Sequence, residues 1–252
     1  MTQTAPSALT VTFAGSGDAF GSGGRYQACI HLRPEGGDPV LLDCGATSLS
    51  ALERLRLDPG EIAAVFVSHL HGDHFGGIPF LILAGQFSRR TRPLAVVGPP
   101  GTAQRLADTM ECLFPGSSTT ARRFDVDVTE LAPGTSAAVC GTTARAWEAN
   151  HPSGAPALIL RLDLAGKTIA YTGDTTWTGA IADAAANANL LIAEGYYRDK
   201  NIPYHLSLAD LDGHRDRLTA RRVIITHMSA DVLGDDHATS FGQAHDGLII
   251  DL

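Results

Sequence analysis

Between Ser68 and Gly77 the chain reads Ser-His-Leu-His-Gly-Asp-His-Phe-Gly-Gly, directly after the apolar run Val65-Phe66-Val67. Four ligand-type residues, His69, His71, Asp73 and His74, fall within six positions. A fold that carries them must place a loop at the end of a buried strand and bring further polar groups to it. In extended backbone, positions two apart point the same way, so His69 and His71 can serve one ion from one side. Asp73 and His74 follow Gly72, whose conformational freedom permits a sharp turn, and can address a second ion. Imidazole and carboxylate suit zinc and related first-row ions. The plain alternative is a solvated polar loop, or histidines satisfied by backbone. Neither calls for so dense a set.

Short β-type runs recur along the chain: Leu9–Ala14, Ala28–Leu32, Val40–Asp43, Ala63–Val67, Leu94–Val97, Ala157–Leu162, Thr168–Thr172, Leu190–Ala193 and Val223–Thr226. Helical patterns predict Thr47–Leu57, Ile78–Arg89, Thr102–Cys112 and Leu206–Leu218. Strands alternate with helices, which places the chain in the α/β or mixed α+β class. Pro/Gly-rich breaks interrupt it, and the one at Ala132–Thr135 is the candidate boundary between two halves of a single 1–252 domain. Three apolar strands end in polar groups: in His69 to His74, in Gly173-Asp174, and in Thr226-His227. Open α/β sheets place their sites beyond the carboxyl ends of strands.

Each later residue is weak by itself. His151 before Pro152 reads as a loop residue, Asp174 as a turn residue, and His227 as a cap or a satisfied histidine. Their order is what joins them to the first segment. The pattern H-x-H-x-D-H after an apolar strand, then His151, then Asp174 in Gly-Asp-Thr, then His227, resembles the metallo-β-lactamase superfamily. The resemblance implies an α+β fold, a four-layer αββα sandwich of two similar halves with two divalent metal ions at one edge. Zinc is the expected metal, with manganese or iron as alternatives. It implies that His69, His71 and His151 hold one ion, that Asp73, His74 and His227 hold the other, and that Asp174 bridges them alongside a hydroxide. Asp43, which ends the run Val40–Leu42, matches a family carboxylate that supports the metal loop. His31, His214, His237 and His245 match no motif position and read as structural or surface groups.

Further segments resemble the RNase Z-like phosphodiesterase branch. They are Ala14-Gly15-Ser16-Gly17 with Gly24-Arg25, the run Pro93 to Gly101, Ala193-Glu194-Gly195, and His205-Leu206-Ser207. The resemblance makes Asp73, Glu194 and His205 the catalytic candidates, with Glu194 orienting His205 as proton donor to a leaving alkoxide. Two departures bear on the substrate. RNase Z members that process tRNA carry a long arm between the third His ligand and the bridging Asp, whereas His151 and Asp174 are 23 positions apart. Gly195-Tyr196 and Leu206 also replace the residues usual there. Both fit a small anionic phosphodiester, a cyclic nucleotide or related monomeric diester, better than precursor tRNA. The competing reading is hydrolysis of a carboxylic ester, thioester, lactone or β-lactam on the same metals, which needs no proton donor like His205. A degenerate binding protein conflicts with the complete ligand set, and a di-iron redox protein usually adds a flavin domain for which this chain has no room.

Charge points the same way. Against 19 basic residues stand 27 acidic ones, a formal charge of -8, and long nucleic acid needs a basic footprint. Arg89, Arg90 and Arg92, after the helix that follows the metal segment, read as a solvated helix end. Cys29, Cys44, Cys112 and Cys140 form no C-x-x-C pair and read as reduced, mostly buried thiols of a cytoplasmic protein. Met1 to Thr10 shows no basic start followed by an apolar run, so no secretory signal is expected. Apolar stretches such as Ile78–Ala84 are too short for a membrane span. A homodimer is left open.

Overall fold

The computed structural model describes residues 8–234 and 239–252. His237, and most of the N-terminal stretch read for a leader, lie outside the described residues. The first half supplies β1 (Leu9–Gly15), β2 (Cys29–Pro34), β3 (Val40–Leu42), β4 (Ala64–Phe66), β5 (Leu94–Gly98) and β6 (Val126–Glu130). The second supplies β7 (Ser136–Val139), β8 (Thr142–Ala149), β9 (Ala157–Leu164), β10 (Lys167–Tyr171), β11 (Leu190–Glu194), β12 (Val223–Thr226) and β13 (Gly242–Gln243). Strand β14 (Ile249–Asp251) then returns to pair antiparallel with β1. The sheet orders are β14-β1-β2-β3-β4-β5-β6 and β13-β12-β11-β10-β9-β8-β7. In the first sheet β3 to β6 run parallel, and in the second β10 to β13 do.

Period-2 alternation explains the layering. In β4, Ala64 and Phe66 enter the core between the sheets, while Val65 faces the outer helices. In β10, Ile169 and Tyr171 point to that central core and Ala170 to the opposite outer layer. Strands buried on both faces are apolar throughout, which is why they are legible as runs. Helices α1 (Ser48–Arg54), α2 (Gly72–Phe75), α3 (Ile78–Phe87) and α4 (Thr102–Leu113) belong to the first half, and α5 (Gly179–Ala185), α6 (Leu208–Gly213) and α7 (Ala230–Leu233) to the second. The result is the four-layer αββα sandwich. No helix among the described residues is long and apolar enough to cross a membrane.

Several expectations need correction. Strands β6, β7 and β8 are absent from the apolar runs because their side chains are half-exposed or small, as in Thr-Thr-Ala-Arg-Ala-Trp-Glu-Ala. The helix expected over Leu206–Leu218 shortens to α6: Ser207 caps its start in a reciprocal box with Asp210, and it stops at Gly213, ahead of a separate 3-10 turn at Arg215–Arg217. Two of the four cysteines, Cys112 and Cys140, are exposed; Cys29 and Cys44 are buried, and all four are free thiols. Arg90 is not a solvated helix end. It is 7% exposed, and its guanidinium donates to the carbonyls of Ile62 (2.6 Å), Pro93 (2.7 Å) and Arg92 (2.7 Å). It stitches the end of α3 to the loop before β4.

Candidate active site

The site lies where β3, β4, β8, β10, β11 and β12 end, so residues from the whole chain meet there. Ser68 and His69 leave β4 fully buried. His71 is still extended (φ -76°, ψ 152°), as expected for a pair two positions apart, and α2 begins at the next residue. Asp73 and His74 therefore sit on a turn of helix. Gly72 supplies no sharp turn: its φ is not positive, and a Cβ there would meet nothing within 4 Å. Gly45 is the constrained neighbour, since a Cβ on it would lie 2.2 Å from the Asp73 carbonyl oxygen. On the other half, Gly173 turns at φ 54° with Ser68 2.8 Å from its would-be Cβ, which lets the Asp174 loop close on the His69 loop.

The structure brings all seven expected ligand residues together in two adjoining groups. His69, His71 and His151 form one, and Asp73, His74, Asp174 and His227 the other, with ligand-type atoms within 4.8 Å of one another in each group. Asp174 addresses both. Its Oδ2 lies 3.9 Å from Nε2 of His69 and of His151, while its Oδ1 lies 3.3 Å from His74 Nε2 and 3.5 Å from His227 Nε2. Between the groups' own members, His71 Nδ1 and His151 Nε2 are 3.0 Å apart, and His227 Nε2 is 3.2 Å from Asp73 Oδ2.

In three of the histidines the outward nitrogen is held while the other faces the site. His69 Nδ1 meets Ser68 Oγ (3.1 Å), His151 Nδ1 meets the Tyr204 carbonyl (3.0 Å), and His74 Nδ1 meets Asp43 Oδ2 (2.7 Å). Asp43 is fully buried and also accepts from Ser68 N (2.7 Å), Ser68 Oγ (2.8 Å) and Tyr171 Oη (2.8 Å). Such partners fix ring orientation and tautomer in metal sites. Asp43, Tyr204 and His227 all hold positive φ, at 57°, 71° and 58°, a conformation that non-glycine residues adopt only where surroundings enforce it.

This donor set fits divalent cations. His69 Nε2 and Asp174 Oδ1 are buried with no hydrogen-bond partner. Leaving such atoms unpaired costs roughly 1–3 kcal/mol each, a cost that coordination removes. Burial, reinforced by the neighbouring His74 charge, drives the His69 pKa well below its usual range and keeps the ring neutral, which is the ligand form. Burial works against a charged His227, yet Asp174 and Asp73 outweigh it and raise its pKa to about 10. The field at that position favours positive charge.

Glu194, fully buried at the end of β11, joins three loops. Its Oε2 accepts from the backbone N–H of Thr175 (3.0 Å) and of Leu206 (3.1 Å), and its Oε1 lies 2.5 Å from His205 Nδ1. His205 stands 4.0 Å from Asp174 Oδ2. Desolvation lowers its pKa, but the Glu194 hydrogen bond and charge, with Asp174, outweigh that and leave it raised. Glu194 and His205 also fall in a third group of metal-type side chains with Asp174 and His227. A cavity of about 170 Å³ opens among these residues and is lined as well by Ala19, Phe20 and Tyr196. The role of Tyr171 and the aromatic lining were not legible in the sequence; the only signal was a tyrosine beside a strand-end glycine.

Among the described residues, the remaining histidines stay apart. His214 stacks on Trp177 at 4.0 Å, His245 is exposed, and His31 is buried in β2 with neither ring nitrogen hydrogen-bonded.

The family model of the beta-lactamase superfamily domain matches residues 39–228. A ribonuclease Z of Methanosarcina acetivorans is 25% identical, over 88% of each chain. Among solved structures, the short form of human tRNase Z superposes with TM-score 0.78 at 25% identity, covering 96% of this chain and 98% of that one. The metallo-β-lactamase fold protein YhfI of Bacillus subtilis gives 0.79 at 19% identity, covering 97% and 99%, a likeness of fold. With the seven-residue group assembled at its sheet edge, the chain belongs to the beta-lactamase superfamily of metal-dependent hydrolases, and within it is similar to ribonuclease Z.

Proposed function

We propose that the chain hydrolyses a small phosphodiester on a two-metal site, with zinc as the metal. His69, His71 and His151 would hold one ion, Asp73, His74 and His227 the other, and Asp174 would give one carboxylate oxygen to each. Ions held there would supply Lewis acidity and a water-derived nucleophile near neutral pH. The chain's own residues supply the rest. Asp43 and the Tyr204 carbonyl hold His74 and His151 in register. Glu194 engages His205 at Nδ1, which leaves Nε2 as the proton donor to the leaving oxygen.

The observation that carries the phosphodiester reading is the His205–Glu194 pair beside Asp174. A poor alkoxide leaving group needs such a donor. Their 2.5 Å hydrogen bond commits Nδ1 of His205 to Glu194, and the other seven residues already supply both groups of ligand atoms, which leaves Nε2 of His205 for the leaving oxygen. Two features support a small substrate. The cavity, at about 170 Å³, is smaller than pockets that enclose a drug-sized ligand, roughly 300–1,000 Å³. Between His151 and Asp174 the chain forms only the hairpin of β9 and β10, joined at Ala165-Gly166.

The test is a substrate panel for the metal-loaded protein: nitrophenyl phosphodiesters, cyclic nucleotides, precursor tRNA, lactones, thioesters and β-lactams. Turnover of small phosphodiesters with poor cleavage of precursor tRNA is expected. Site-specific tRNA processing with a steep salt dependence would overturn the small-substrate reading. Activity confined to the carbonyl compounds would overturn phosphoryl chemistry.

A further inference from the structure

The loop between β1 and β2 presents an aromatic ring that the folded core does not use. Phe20 is 84% exposed, yet it lines the cavity that also holds Asp174 and His205. The backbone that carries it is held from several sides. Asp18, itself 1% exposed, accepts from Phe20 N (3.2 Å) and Ser22 N (2.9 Å) through Oδ1 and from Ser22 Oγ (2.7 Å) through Oδ2. Gln27 Nε2 donates to the Ala19 carbonyl at 3.2 Å. Gly21 and Gly23 turn the chain at φ 70° and 67°, and a Cβ on Gly23 would lie 2.8 Å from Leu233 Cδ1, so the loop packs against α7. A buried carboxylate and two left-handed glycines thus fix the backbone of a ring that stays in water. Exposure of that ring forfeits apolar burial in the free protein, and only an arriving apolar surface recovers it.

A second ring meets the cavity from the other half of the chain. Tyr196, just past β11, is half-buried, packs edge-on to Tyr197 at 4.7 Å and lies tilted over His205 at 4.7 Å. Its amide donates to the Leu206 carbonyl at 2.9 Å. Both rings therefore flank the place where the substrate's phosphoryl group would sit, beside Asp174 and His205. Aromatic faces beside a phosphate position suit a planar substituent that stacks, and they do so without reading its hydrogen-bond pattern.

We infer that Phe20 is a specificity residue, the platform on which a nucleobase-like ring of the substrate stacks while its phosphoryl group lies at the Asp174–His205 centre; this rests on the phosphodiesterase reading. Ring stacking of this kind is worth roughly 5- to 150-fold in affinity. Calorimetric titration of the metal-loaded protein with adenosine 5′-monophosphate and with ribose 5-phosphate measures it, because the two probes share the phosphate and sugar. The wild type should bind the nucleotide about 10- to 100-fold more tightly. In Phe20→Ala that ratio should fall to about two, and in Phe20→Trp it should be kept or increased. Circular dichroism of the variants checks that both are folded. Equal affinity for the two probes in the wild type, or an unchanged ratio in Phe20→Ala, would overturn the inference and leave the phosphodiesterase reading intact. Failure to bind either probe, together with no diester turnover, would instead bring down the functional reading and this inference with it.

Discussion

His205 Nδ1 lies 2.5 Å from Glu194 Oε1, and the same carboxylate holds the backbone N–H groups of Thr175 and Leu206. One buried side chain thereby sets the distance between the loop that carries Asp174 and the loop that carries His205. The arrangement separates proton delivery from metal holding. His205→Ala should lower turnover of an alkyl phosphodiester by roughly two to four orders of magnitude. Turnover of a nitrophenyl diester should fall far less, because nitrophenolate leaves without a proton. Equal losses on both substrates would point to a positioning role, and loss of metal in the variant would make His205 a ligand.

Asp174 is the opposite case. With Oδ1 toward His74 and His227 and Oδ2 toward His69 and His151, its removal strikes both groups at once. Asp174→Ala should lose bound metal and all measurable turnover together, as read by elemental analysis and a diester assay on one preparation. A variant that retains near-normal turnover would rule out the bridging role.

Asp43 contributes without reaching the cavity. It orients His74 through a 2.7 Å hydrogen bond and receives Ser68 and Tyr171 on the same carboxylate. Asp43→Asn should weaken metal affinity by roughly 10- to 100-fold, measured by competition with a chelator. Tyr171→Phe removes one donor and leaves the Asp43–His74 bond in place, so its effect on affinity should be several-fold smaller. Unchanged affinity in Asp43→Asn would show that His74 is oriented by packing alone.

His31 gives a pH dependence unconnected with the metal groups. Burial, with the Arg33 charge adding to it and Glu61 opposing, lowers its pKa from 6.5 to about 4. Between those values the unfolded chain binds a proton that the folded chain does not, so stability rises with pH across the window. On acidification the stability is lost from about pH 6.5 down to about pH 4. The full effect is on the order of 3 kcal/mol. Since neither ring nitrogen has a hydrogen-bond partner, His31→Leu should cost no bond and should flatten this slope. Urea midpoints of wild type and variant at pH 7 and pH 5 give the difference directly, and parallel shifts in both proteins would refute the assignment.

The sequence alone determined the family and the identity of the converging polar residues. Ligand types were dense between His69 and His74 after β4, and the apolar runs of β10 and β12 placed Asp174 and His227 at strand ends, while His151 was joined to them only by its order in the family pattern. Those signals are local, because burial on both faces writes a continuous apolar run and a metal loop writes a cluster of His and Asp. The tertiary structure decided what local pattern cannot hold. It placed Asp73 and His74 on a helical turn, where the sequence suggested a glycine turn. It set the two oxygens of Asp174 toward two histidine groups drawn from positions 69 to 227. It brought Tyr171 to Asp43 across 128 residues, and it set Phe20 at the cavity mouth beside Tyr196. Strands β6 to β8, half-exposed and rich in small side chains, took their form from pairing with their neighbours. Each of these outcomes depends on which strand ends the two sheets bring together, and backbone pairing across the sandwich settles that at distances in sequence where local propensity has no influence.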